Sequence, residues 1–475
     1  MLGFLEDGKF RLEEIHRFIN GPVKVGDSLF WDVLRMWSEI KASIRLAIQK
    51  YGGLQGIGVD TWGVDFALLG RGDILLGNPY HYRDKRTNGM LEEAFRRVPK
   101  EKIYFRTGIQ FIQLNTLYQL LAMRVENSPL LDIAETFLMM PDLFNFWLTG
   151  IKANEFSIAT TSQFYNPLIG DWDRELLEEM DIPHHFLQRI VSSGTILGEI
   201  LPSVGEEVGQ QGIPVIAVSC HDTGSAVAAA PAEGDDWAYI SAGTWMLMGV
   251  EIKEPIINQR SFELNFTNEG GVGGTFRFLK NIMGLWLIQE SRRTWANRGE
   301  EYSYSELTKM AENARPFCAI LEPDHTSFLP PGDMPARIAD FCRKTGQEPP
   351  QTKGEFVRCA LESLALKCKW VLDRLEEMLG RQLSRIHIFG GGSQNTLLCQ
   401  FIADATDRIV MAGPVEATAT GNALVQALAL GYIKSHEEMR EIIRNSFEVI
   451  PYEPAHTAEW DDAYERFLKI MESVQ

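Results

Sequence analysis

Arg385-Ile386-His387-Ile388-Phe389 is an apolar run of strand length, and it flows directly into Gly390-Gly391-Gly392-Ser393-Gln394-Asn395. A helix is predicted over 395–405, a second strand over 408–411 and a further helix over 415–430. Alternating strands and helices of this kind make an α/β fold, and ligands in such folds bind beyond the carboxyl ends of the strands. Three successive glycines let the backbone approach a flat ligand such as adenine, or a phosphate at the following helix N-terminus. The string is not G-x-x-x-x-G-K-[ST], which excludes a P-loop nucleotide site. It is not G-x-G-x-x-G either, so a dinucleotide site has little support. A purely structural tight turn is the competing reading.

Upstream, Phe356, Ala360, Leu361, Leu364, Ala365, Cys368, Val371, Leu372 and Leu375 recur at helical spacing, and Gly380 closes the helix. A strand at 237–241 ends in Ala242-Gly243-Thr244, and the glycine-rich stretch 265–278 reads as a bent hairpin. The N-terminal part opens on a hairpin around Glu6-Asp7-Gly8. A helix over 30–50 follows, ending in Gly52-Gly53. A strand at 57–59 runs into Asp60-Thr61-Trp62-Gly63-Val64-Asp65, and another at 215–219 into His221-Asp222-Thr223-Gly224. The pattern is two α/β halves, divided as 1–233 and 234–475, with no short-period repeat.

The 475 residues carry a formal net charge of −18, which argues against a nucleic-acid partner, because a phosphate backbone needs a basic surface. No run of about 18 apolar residues suggests a membrane span, and the N-terminus lacks the charge and apolar core of a secretory signal. Six cysteines, Cys220, Cys318, Cys342, Cys359, Cys368 and Cys399, form no C-x-x-C pair or zinc spacing. Free thiols in a reducing cytoplasm are expected, and the metal ligands stay unassigned.

Several residues are candidates for chemistry. Asp222 ends a buried strand, where a carboxylate can act as a general base toward a hydroxyl; the alternative is a helix N-cap. Gly243 and Thr244 offer a turn whose backbone can approach a phosphate, or form an ordinary hairpin. Asp60-Thr61-Trp62-Gly63-Val64-Asp65 mixes carboxylates, an indole and glycine, as sugar sites do; the alternative is a strand end with a packed tryptophan. Tyr82-Arg83-Asp84-Lys85-Arg86 is either polar lining or a solvated loop. His184-His185 reads as a surface pair.

The order of these strings identifies a resemblance. Asp60 to Asp65, Asn78 to Asp84 and Pro141-Asp142-Leu143-Phe144-Asn145-Phe146-Trp147-Leu148-Thr149-Gly150 resemble the N-terminal half of the FGGY carbohydrate kinases. His221 to Ala228 resembles the family segment with the catalytic aspartate. Ser241 to Trp245 resembles its phosphate-binding turn, and Phe389 to Asn395 with Glu416 to Ala423 its adenosine-binding region. The resemblance covers nearly the whole chain, and the first and fourth strings are close to those of the branch acting on L-rhamnulose. It implies two actin-like (ribonuclease H-like) domains with ATP and sugar in a cleft between them, and Mg-ATP-dependent phosphorylation of the sugar 1-hydroxyl in the cytoplasm. It implies Asp222 as catalytic base. Gly63, Asp65, His221, Thr223 and Asn281 would contact the sugar, and Gly243, Thr244, Gln289, Gly390, Gly391 and Gly392 the nucleotide.

The family pattern normally begins with a strand and an Asp-Leu-Gly-type turn that holds phosphates and Mg²⁺. This chain starts inside the hairpin at Met1-Leu2-Gly3, so that strand and turn are expected to be missing, with weaker ATP and metal binding. Other readings are a fuculose or xylulose kinase, a sugar-binding protein with impaired catalysis, and an actin-like ATPase.

Overall fold

The computed structural model describes residues 1–474. The chain divides into two compact units, and neither is continuous in sequence. The first holds 1–229, 251–278 and 418–446; the second holds 230–250, 279–417 and 447–475. The expected division at 233 treats each half as a single stretch, whereas two later stretches pack with the first unit. Close packing and hydrogen bonds explain why the second of these does. Thr418 donates through Oγ1 to the Asp222 carbonyl at 3.2 Å. Asn422 donates to the Gly58 carbonyl at 3.2 Å. A Cβ at Gly421 would collide with the Ser225 carbonyl oxygen, so glycine permits the two helices to touch.

In the first unit the opening hairpin pairs Leu2–Glu6 with Lys9–Glu13. Its turn places Asp7 and Gly8 at φ of 50° and 71°, the left-handed conformations that Asp-Gly tolerates. The Val33–Tyr51 helix starts at Asp32, whose side chain accepts from the Arg35 N–H, and stops at left-handed Gly52. Its buried residues Val33, Met36, Ile44 and Ala47 make one face. Ile44 and Ile57 join Val204, Val208, Ile213 and Val215 in an apolar core. Pro214–Ala217 is the middle of a three-stranded sheet, antiparallel to Thr195–Glu199 and parallel to Ile57–Gly58. The parallel pair continues past the regular strands. Thr61 N–H donates to the Cys220 carbonyl and Asp222 N–H to the Thr61 carbonyl, each at 2.9 Å. Two strings 160 residues apart in the chain are thereby aligned at neighbouring strand ends.

In the second unit, strands run in the order Trp237–Ala242, Arg385–Phe389, Ile409–Ala412, Ile450–Tyr452, and Trp245–Ile252 lies antiparallel on the other side of Trp237–Ala242. The Arg385–Phe389 strand is parallel to both of its neighbours, and Ile386, Ile388 and Phe389 are fully buried, as expected of a strand covered on two faces. The Lys353–Leu379 helix begins with a capping box of Thr352 and Glu355 and ends at left-handed Gly380. It packs against the Tyr304–Glu312 and Thr396–Thr406 helices. Five of the cysteines are buried and all six are free. Among the described residues no helix is long and apolar enough to cross a membrane.

Candidate active site

The first unit carries the acid. Asp222 is the first residue of the Asp222–Ala228 helix, and His221 stands at the cap position without a side-chain capping bond. Asp222 is therefore not the N-cap. Its Oδ1 accepts from the Thr223 N–H at 2.6 Å and the Thr223 hydroxyl at 3.3 Å, and the side chain is 44% exposed. One oxygen is thus anchored while the other is left toward solvent, the arrangement a general base requires.

The backbone beneath Asp222 is tied down from three directions. Glu155 Oε2 accepts from Cys220 N–H at 3.0 Å, Ser157 Oγ accepts from His221 N–H at 3.1 Å, and the Thr61 carbonyl accepts from Asp222 N–H. Glu155 also accepts from the Ser157 hydroxyl and the Ser157 and Ile158 amides. Thr223 is buried with its hydroxyl on Asp222, so it sits beside the acid.

Asp60 is the residue whose importance the sequence understated. Burial pushes its carboxyl up to about 7; the Asn422 amide hydrogen bond opposes the rise and the Asp222 charge adds to it. At neutral pH Asp60 therefore carries only part of a negative charge, which limits its repulsion of Asp222.

Asp65 was expected to touch sugar, and the structure places it inside the first unit. It is fully buried. Its Oδ2 accepts from the Trp31 and Trp62 indoles at 2.5 and 2.9 Å and from the Tyr82 amide at 3.2 Å, and its Oδ1 accepts from Gln119 at 2.9 Å. Four internal donors converge on this carboxylate, so Asp65 orients the aromatic residues around it. Burial pushes its carboxyl up to about 6, against the lowering effect of the Gln119, Trp31 and Trp62 donors. The Trp31 ring lies 4.0 Å from Trp62 and 4.3 Å from His81, centroid to centroid. Trp62 and Tyr82 remain partly exposed and can offer apolar ring faces to a sugar.

Gly63 and Asp65 close a three-residue turn, Asp65 N–H to Gly63 carbonyl at 2.9 Å, around Val64 at φ 69°. This is the rare γ-turn with a positive central φ, and a β-branched residue occupies it. It is held by Thr161 Oγ1 accepting from Val64 N–H, and by Thr116 Oγ1 donating to the Val64 carbonyl. Gly63 backs onto Thr161, where a Cβ would lie 3.2 Å from Thr161 Cγ2.

The second unit carries a cavity of about 710 Å³, lined by Gly243, Gln289, Gly391, Gly392 and Asn395 among others. Four of the six residues expected to meet nucleotide line this cavity, and a fifth bonds to one of them. Gly243, Gln289, Gly391 and Gly392 line the cavity, and the Thr244 hydroxyl meets Gln289 Oε1 at 3.1 Å. Gly243 N–H is committed to the Trp245 carbonyl at 2.9 Å; the Thr244 hydroxyl is the donor that can turn toward a phosphate. Gly390, at φ 82°, begins the Gly391–Gln394 turn, where Ser393 N–H returns to the Gly390 carbonyl at 3.0 Å. Asn395 then caps the Thr396–Thr406 helix by accepting from Leu398 N–H. The cavity therefore adjoins a helix N-terminus, where aligned amides favour an anion. Leu285, Ile288, Leu307 and Val357 supply apolar lining suited to a flat base.

Asn281 lies in the second unit, on the Phe276–Met283 strand, while Gly63, His221 and Thr223 lie in the first. Thr418, Gly421 and Asn422, expected with adenosine, pack beside Asp222, Ser225 and Asp60.

Residues 24–228 match the N-terminal domain of the FGGY family of carbohydrate kinases and residues 238–430 its C-terminal domain. A rhamnulokinase of Bacteroides thetaiotaomicron is 42% identical over 98% of this chain and 96% of its own length. One of Oceanobacillus iheyensis is 41% identical over 95% of this chain and 94% of its own. Among solved structures, the ligand-bound xylulose kinase of Lactobacillus acidophilus superposes with a TM-score of 0.78 at 17% identity, over 96% of this chain and 92% of that one. Glycerol kinase of Plasmodium falciparum with ADP gives 0.75 at 15%, over 95% and 92%. With both family domains matched in order over most of its length, the chain belongs to the FGGY family of carbohydrate kinases.

Proposed function

We propose that this protein transfers the γ-phosphoryl group of ATP to the 1-hydroxyl of L-rhamnulose, giving L-rhamnulose 1-phosphate and ADP. The observation that carries this reading is the identity of about 40% to rhamnulokinases over nearly the full length of both partners. The exposed, anchored carboxylate of Asp222 supplies the chemistry. Its free oxygen accepts the hydroxyl proton as the sugar oxygen bonds to the γ-phosphorus and the bond to the β-bridging oxygen breaks. Such transfers depend mainly on positioning and charge stabilisation. Thr244, Gln289 and the Gly390–Gly392 turn hold the nucleotide; Gly63, His221, Thr223 and Asn281 serve the sugar, with Asp65 acting through Trp62 and Tyr82.

Mg²⁺ would be carried in on the nucleotide phosphates. Among the described residues no group of three or more His, Cys, Asp or Glu side chains could hold a metal ion. That fits a cation carried on phosphates that keeps most of its waters and needs only one or two carboxylates.

ADP release measured with Mg-ATP against L-rhamnulose, L-fuculose and D-xylulose tests the proposal. A kcat/KM for L-rhamnulose at least tenfold above the other two supports it. Preference for another ketose, or ATP turnover that no sugar stimulates, overturns it.

A further inference from the structure

Beside His221 lies a buried ion pair, Arg277 and Glu269, that the phosphoryl-transfer reading does not use. Arg277 is fully buried in the Phe276–Met283 strand, among residues that are otherwise largely apolar. Its Nε donates to the Gly270 carbonyl at 2.9 Å. Its Nη2 lies 3.2 Å from Glu269 Oε2 and donates to His221 Nδ1 at 2.9 Å. Glu269 Oε2 is itself 3.3 Å from the same His221 nitrogen. On the other side of the imidazole, Nε2 is 3.4 Å from Asp222 Oδ1.

Guanidinium has donors only and keeps its proton at any working pH. A ring nitrogen that receives its N–H must present a lone pair, so His221 Nδ1 is unprotonated. The single proton of the neutral ring then sits on Nε2, the nitrogen facing Asp222. Were Arg277 absent, Glu269 would be the polar group beside Nδ1, and a carboxylate there selects the opposite tautomer, with Nδ1–H toward Glu269 and a lone pair facing Asp222. Two lone pairs would then oppose each other across 3.4 Å. Arg277 decides between these two states of the ring.

We propose that Arg277, backed by Glu269, is a positioning residue for the kinase reaction: it fixes His221 as the Nε2–H tautomer and so orients the Asp222 carboxylate. The anchored oxygen of Asp222 faces donors only, from Thr223 and His221, and the other oxygen is presented to the sugar hydroxyl. Arg277 touches neither substrate. Its effect passes through one hydrogen bond to His221, in the way that second-layer partners fix the tautomer of functional histidines elsewhere. The inference rests on the assignment of Asp222 as base, but its first test does not.

That test uses the unmodified protein, labelled with ¹⁵N in its histidine rings, without substrate. The His221 resonances are assigned by their loss in His221→Gln, and long-range ¹H–¹⁵N correlations report which nitrogen is protonated. The Nε2–H pattern is expected; an Nδ1–H pattern or a fully protonated ring overturns the proposal whatever the protein phosphorylates. Kinetics supply the second test. Arg277→Met removes the donor, and kcat is expected to fall about 10- to 100-fold, the scale found when outer-layer partners are lost. KM for ATP should stay within about twofold, and Arg277→Lys, which keeps a donor and a charge, should regain most of the loss. In a His221→Gln background Arg277→Met should cost little more, because the path through His221 is already cut. Equal losses in both backgrounds, or no loss in either, refute the positioning role. Should Arg277→Met fail to fold because Glu269 is left buried with its charge, Arg277→Met combined with Glu269→Gln takes its place in the same cycle. If no sugar is phosphorylated by the parent, the proposed function fails, while the tautomer measurement still judges this inference.

Discussion

Gly391 and Gly392 are adjacent, and both line the cavity proposed to hold the nucleotide, yet the structure separates their roles. A Cβ added at Gly391 would find no protein atom within 4 Å, and its φ is not in the left-handed region. A Cβ at Gly392 would lie 2.5 Å from Ala242 Cβ and 3.0 Å from the Ala242 carbonyl oxygen. Ala242 closes the Trp237–Ala242 strand, which pairs with Arg385–Phe389. Gly391→Val should therefore fold normally and obstruct the ligand. Gly392→Val should force two central strands apart, at about 1–3 kcal/mol, the usual cost of overpacking. A branched side chain in the cavity is expected to weaken ATP about 100-fold, or roughly 2.7 kcal/mol.

Linkage turns this into two independent readings. ATP at 100 times its dissociation constant stabilises the parent by about 2.7 kcal/mol; in Gly391→Val the same concentration equals the dissociation constant and contributes only about 0.4 kcal/mol. Thermal unfolding with and without ATP should show the nucleotide-induced rise in Tm nearly abolished, while the ligand-free Tm barely moves. Initial rates should show KM for ATP raised far more than KM for sugar. Equal increases in both KM values, or an undiminished ATP-induced shift in Tm, would mean that Gly391 is only a folding turn and that the nucleotide lies elsewhere.

Other substitutions probe the remaining parts. Asp222→Asn keeps an acceptor for the Thr223 N–H but cannot take a proton; kcat should fall about 100- to 10,000-fold, with sugar binding by calorimetry within about threefold, and a kcat near the parental value rejects Asp222 as base. Asp65→Ala strips the acceptor from two indole N–H groups, which should cost about 2–4 kcal/mol of stability and raise KM for sugar; an unchanged denaturation midpoint counts against the hub. Asp60 binds its proton more tightly folded than unfolded, since burial pushes it up to about 7 from an ordinary value near 4. Between those pH values the native state holds the extra proton, so stability from the neutral carboxyl is present at low pH and is lost as pH climbs through 7. Asp60→Asn removes that loss. Relative to the parent it should gain on the order of 1–2 kcal/mol between pH 5 and pH 8.5 after allowance for solvent screening, and an offset that does not change with pH rejects the buried-acid reading.

Much of the fold was legible because it is written locally. The strand Arg385–Phe389 is found at the expected residues, since an apolar run ended by glycines has few alternatives. The Lys353–Leu379 helix has the expected apolar face and closes at Gly380, and its Thr352–Glu355 capping box is equally local. The opening hairpin follows from Asp7-Gly8. The glycine turn pointed to a cavity for the same reason: strand, three glycines, helix is a backbone instruction.

What was hidden depends on partners far away in the chain. Asp65 and Asp60 look alike in sequence, two carboxylates five residues apart, and nothing local says that Trp31 and Gln119 will engage the first while Asn422 binds the second within reach of the Asp222 charge. The γ-turn at Val64 is also invisible, because a β-branched residue is a poor choice for positive φ and only Thr116 and Thr161 stabilise it there. Arg277 did leave a trace. Phe276-Arg277-Phe278-Leu279 belongs to a strand with a charge set between apolar neighbours. An arginine at such a position either points to solvent or has an acid and further acceptors waiting for it. Residues Asn268-Glu269-Gly270, seven to nine positions upstream on the other arm of the hairpin, contain the acid and the carbonyl that it meets. The pairing within the hairpin was thus inferable from strand geometry alone. The third partner, His221, was not, because no local rule brings a strand end 56 residues earlier to the same guanidinium.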